Sequence, residues 1–97
     1  MADDPSFDWN AANLNHIARH RIGPADVAQA FANETIDLNY EVSEGEERWT
    51  SVGHTDGLRI IVIVWTMRGD AIRTVTAFDA GARLAEQYLV QKGWGKS

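Results

Sequence analysis

The chain has 97 residues, 44% apolar and 24% charged, with a net charge of −5 and no cysteine. This length fits one small globular domain, and the missing cysteine excludes disulfides and thiol chemistry. No apolar run reaches the roughly 18 residues that a transmembrane helix needs, and the acidic start MADDPSFDW lacks the apolar stretch of a signal peptide. These features predict a cytoplasmic protein without membrane contact. The acidic surplus argues against sequence-independent binding to a phosphate backbone. Positive charge nevertheless gathers at Arg19, His20 and Arg21, and again at Arg59, Arg68 and Arg73.

Residues 1–7 read as a flexible start. Asn10 can cap a first helix by accepting from the free amides of its first turn. Leu14, Ile17 and Ala18 then recur at helical spacing. This helix should stop near His20–Arg21, because Gly23-Pro24 follows. Pro24 suits the first position of a second helix, where its missing N–H costs nothing. Val27, Ala30 and Phe31 form the apolar side of that helix.

From Glu34 the period changes to two. Thr35–Tyr40 is a predicted strand, Glu41–Glu46 a polar turn, Glu47–Val52 a second strand and His54–Gly57 a hairpin loop. The third strand, Leu58–Met67, has no polar residue between Ile60 and Trp65, which predicts cover on both faces. A turn at Arg68-Gly69-Asp70 leads to a fourth strand, Ala71–Ala77. Asp79 can cap a third helix with a buried stripe of Leu84, Ala85, Tyr88 and Leu89. The glycine-rich tail, Lys92 to Ser97, is predicted to be flexible. The sum is a single α+β domain over residues 1–97, ordered α-α-β-β-β-β-α, with a four-stranded, mostly antiparallel sheet. On so small a protein, leftover apolar sheet surface is expected to meet another chain.

Several residues invite a functional reading. His16 and His20 share a helix face at a spacing that could hold a metal, but the stretch His-Ile-Ala-Arg-His lacks a glutamate next to the first histidine and no third ligand is spaced to help. No metal or other cofactor is expected. His20, near a helix C-terminus, is favoured there when protonated. Arg73 is either an outward-facing strand residue paired with Glu47 or Asp70, or a phosphate anchor, since a guanidinium binds phosphate through two parallel hydrogen bonds. Trp49, Trp65 and Trp94 could stack on bases, with Trp65 better placed for the core. The acidic stretch Glu41–Glu47 reads as a solvated hairpin that could also meet a basic partner. No helix-turn-helix carries the positive charge that a stand-alone DNA-binding regulator needs.

Taken in order, Phe7-Asp8-Trp9, Asn13, His16-Ile17-Ala18-Arg19-His20 and Gly23-Pro24-Ala25-Asp26-Val27 resemble the opening of the BrnT-type toxins. Gly45-Glu46-Glu47-Arg48-Trp49 with Gly53, then Val62-Ile63-Val64-Trp65-Thr66 and Ile72-Arg73-Thr74-Val75-Thr76-Ala77, resemble strands of that family. The resemblance runs from about Phe7 to Tyr88. It implies a RelE-like fold and a metal-independent ribonuclease toxin of a type II toxin–antitoxin pair. It also implies RNA as substrate and a BrnA-like antitoxin as partner, in a homodimer or a toxin–antitoxin hetero-oligomer. Carried over by position, His20, Arg73 and Tyr88 would be catalytic, and Arg48, Arg68 and Arg19 would contact RNA phosphates. The chain departs from the family pattern in three places. Phe78 stands where an arginine is expected after Ala77, Arg21 replaces a glycine, and the last helix keeps only Arg83 of its basic residues. Losing a transition-state cation commonly lowers a rate about a thousandfold. The resemblance therefore leaves two expectations open: a weakened nuclease, or an inactive relative that binds a protein partner.

Overall fold

The computed structural model describes residues 6–94. The elements are β1 (Ser6–Phe7), α1 (Ala11–Ala18), α2 (Pro24–Ala32), β2 (Ile36–Ser43), β3 (Glu46–His54), β4 (Ile60–Arg68), β5 (Ala71–Asp79) and α3 (Ala82–Gln91). They build one mixed sheet in the order β1-β5-β4-β3-β2. All neighbours run antiparallel except β1 and β5, which are parallel. The α+β class holds, but the sheet has five strands rather than four. The expected flexible start is corrected at Ser6 and Phe7, which align with Ala71 and Ile72. Phe7 is held there because its ring packs on Trp9 and Phe31. Residues 1–5 lie outside the described part. No helix among the described residues is long and apolar enough to cross a membrane.

The first helix starts as its cap residue dictates, with the Asn10 side chain accepting from the Asn13 N–H at 2.9 Å. Pro24 opens α2, and the Asp26 carboxylate accepts from the Gly23 N–H at 2.9 Å. The hairpin between β2 and β3 is longer than expected. Its turn shrinks to Glu44-Gly45, both at positive φ (53° and 78°), which is the twist a two-residue hairpin needs. His54 belongs to β3, not to a loop.

Side chains at odd positions of β4 face α1 and α2. Ile61 and Ile63 are wholly buried with Ile17, Ile22, Val27, Ala30 and Ala77. Gly53 lies on this face, where an added Cβ would stand 3.1 Å from the Ala30 Cβ and 3.0 Å from the Thr35 methyl. A side chain there would push α2 off the sheet. An aromatic row continues the core sideways: Phe7, Phe31, Trp65, Trp49 and Tyr40 follow one another at centroid distances of 4.8–5.8 Å. Trp65 is therefore a packing residue, with its indole N–H donating to Ser51 Oγ.

The third helix covers the opposite face, but only at the end where β3 finishes. There Tyr88 is 2% exposed and its hydroxyl stands 2.6 Å from His54 Nδ1. The expectation of cover on both sides of β4 thus holds for Ile61, Val62 and Ile63, which are buried, and weakens at Val64 and Trp65, which are partly exposed. Of the expected flexible tail, residues 95–97 lie outside the described part. Lys92 caps α3, and the Trp94 ring packs edge-on against His54 at 4.7 Å.

Candidate functional site

The six residues singled out from the sequence fall in three places. His20 and Arg19 sit exposed just beyond the end of α1. The His20 ring lies 6.1 Å from the ring of Phe78, the position where an arginine was expected. Arg73, Arg48 and Arg68 belong to the opposite end of the sheet. Tyr88 lies on the buried side of α3.

The His20 end is held by a clamp. Arg59, immediately before β4, donates through Nε and Nη2 to both oxygens of Asp79 (2.7 and 3.2 Å). Its Nη1 and Nη2 also donate to the carbonyls of Arg21 (2.6 Å) and His20 (2.8 Å). This bridge fixes a turn that is costly in itself, because Arg21 adopts φ 59°, in the left-handed region that non-glycine residues seldom occupy. The hydrogen bonds from Arg59 hold the Asp79 carboxyl below its ordinary range, and Asp79 in turn raises the Arg59 guanidinium. Asp79 is therefore the partner of Arg59, while α3 takes Gly81 as its N-cap with no side-chain bond. The helix begins too late for Asp79 to reach its first amides. The pairing does not stand out in the sequence, because its two members are 20 positions apart.

At the other end, Arg73 pairs with Thr66 across β5 and β4, on the face that α3 leaves open. The expected partners Glu47 and Asp70 are not the ones found. The Nη2 group donates to Asp8 Oδ2 at 2.7 Å, since Asp8 follows β1 and β1 lies beside β5. Among the described residues, Arg73 Nε is buried and has no hydrogen-bond partner. Such an orphan donor is costly unless something accepts from it. Arg48 follows along the same open face, 3.4 Å from Glu46. Arg68 is exposed at the end of β4 and lines a cleft of about 300 Å³ with Glu46, Glu47, Trp49 and Met67. From Arg73 to Phe78 is five strand steps, or about 16 Å, so Arg73 and His20 do not face one another.

Tyr88 is a packing residue by position. Burial pushes its phenol up and pushes the His54 imidazole down. Among the described residues, no three His, Cys, Asp or Glu side chains converge as a metal site would require.

No curated protein matches the chain. The model of one family, the ribonuclease toxin BrnT of type II toxin–antitoxin systems, matches residues 9–83. That span includes α1 with His20, the Arg59–Asp79 clamp, Arg73 and Phe78, and stops just as α3 begins. The chain belongs to the BrnT family of type II ribonuclease toxins, whose members act opposite an antitoxin.

Proposed function

We propose that the chain is a cytoplasmic, metal-independent endoribonuclease toxin with a RelE-like arrangement, weakened at its reaction centre and silenced by a BrnA-like antitoxin in a hetero-oligomer. The observation that carries this reading is the meeting of His20 with position 78, held by Arg59 at the end of β5. In the reaction, the 2′-hydroxyl of RNA attacks the adjacent phosphorus and the bond to the 5′-oxygen breaks. This leaves a cyclic phosphate and a free hydroxyl. His20 takes the 2′-proton as general base, and the departing 5′-oxygen takes a proton from solvent. Arg19 neutralises charge on the phosphoryl oxygens. An arginine at 78 would do so better, and Phe78 leaves that work undone. Arg73, Arg48 and Arg68 hold other phosphates of the same strand along the open sheet face. Tyr88 serves by anchoring α3 to β3 through His54.

A second reading has its own support. Phe78 and the Asp8–Arg73 pair both remove cationic character, and the net charge is −5. On that reading the chain is an inactive BrnT relative that binds a protein. Expression without the antitoxin separates the two. The nuclease reading expects growth arrest and RNA cleavage that His20→Ala abolishes and Arg73→Ala weakens. Absence of arrest with a well-folded protein would favour the binding module.

A further inference from the structure

The two edges of the sheet differ in character. β1 is a two-residue stub, whereas β2 presents eight residues on its unpaired side. Exposed edges are ordinarily guarded by lysine, proline, short length or bulges. β2 has neither Lys nor Pro, and its one irregularity lies near its start, between Asp37 and Asn39. Its apolar side chains face solvent: Leu38 is 44% exposed, Tyr40 50% and Val42 61%. Tyr40 leads through Trp49 to Trp65, so this strip is continuous with the aromatic row of the core. The charge around it is one-sided. Between Asp37 and Arg48 the chain carries Asp37, Glu41, Glu44, Glu46 and Glu47 against one arginine, and that arginine is already paired with Glu46.

We propose that β2 is a strand-addition site for a basic extended segment of a partner protein, one in which apolar residues alternate with lysine or arginine. Main-chain pairing along the free edge would supply affinity, and alternate side chains would supply selectivity. The apolar residues would cover Leu38, Tyr40 and Val42. The basic ones would meet Glu41 and Glu44. Charge selects this occupant. A second copy of the chain would bring the same acids against the first, and a nucleic acid would be repelled by them. The proposal does not depend on RNA cleavage, because none of these residues belongs to the reaction centre.

The test uses a labelled nine-residue peptide of alternating lysine and valine, with oligolysine of equal charge as control. The expected result is saturable binding that weakens with salt and slows hydrogen exchange of the β2 amides. Val42→Lys should weaken it about tenfold or more, because a lysine guards the edge. Glu41→Gln combined with Glu44→Gln should weaken it as well and leaves the apolar strip intact. Three results would overturn the proposal: no binding at millimolar peptide, oligolysine binding equally well without protection of β2, or β2 amides protected in the free protein through self-association seen by sedimentation.

Discussion

Arg59 and Arg73 each meet an aspartate, yet the two pairs use their guanidinium groups differently. Arg59 commits four of its five N–H donors to Asp79 and to two backbone carbonyls, which leaves one on Nη1. Arg73 makes one bond to Asp8 and keeps Nε without a partner. The first arrangement builds a turn and the second keeps a cation in reserve. Sequence pattern draws attention to Arg73 and passes over Arg59, although Arg59 is the residue that orients the His20 end.

The comparison breaks most readily at Arg59. Arg59→Ala leaves the Asp79 carboxylate and two carbonyls without their partner. It should destabilise the fold by about 1–2 kcal/mol, a figure kept low because the pair is partly exposed. Denaturant unfolding checks this, and an unchanged midpoint would deny the clamp. Arg73→Ala should be milder, below about 1 kcal/mol, while costing more in RNA affinity. A finer probe is Asp8→Asn, which frees Arg73 from its carboxylate. RNA binding should tighten at low salt and return toward wild type at high salt. Equal binding at both salt concentrations would show that Arg73 does not contact RNA.

The smallest effect concerns pH. The His54 imidazole is pushed down from its ordinary value, first by burial and then by Lys92. Its folded value lies below its unfolded value, so the stability it confers is fully present above about pH 6.5. That stability should fall as the pH drops through the folded value. Asp79, also lowered, should add a second loss below about pH 4. Thermal unfolding from pH 7 to pH 5 checks the first step, and His54→Gln should flatten it.

What the sequence disclosed was local. Asn10, Pro24 and the apolar centre of β4 announce their elements because cap, ring and periodicity act within a few residues. What escaped depends on distant partners. β1 forms because β5 lies beside it, 65 positions later in the chain, and because Phe31 packs on Phe7. Asp79 looks like a helix cap until Arg59 is seen to reach it from the start of the neighbouring strand. Tyr88 carried two incompatible readings, a buried stripe and a catalytic phenol, and its burial beside His54 favours the stripe. At the site, His20 and Phe78 were both named from sequence, and only the fold brings their rings together.

The central claim is that position 78 is the altered part of a reaction centre built around His20. Cleavage of a defined RNA by purified Phe78→Arg, beside wild type and Phe78→Arg with His20→Ala, tests it most directly. Phe78 is 37% exposed, so the substitution should be tolerated by the fold. The account predicts that Phe78→Arg cleaves about tenfold faster or more, and that adding His20→Ala removes the gain. A folded Phe78→Arg protein that cleaves no faster than wild type would contradict it.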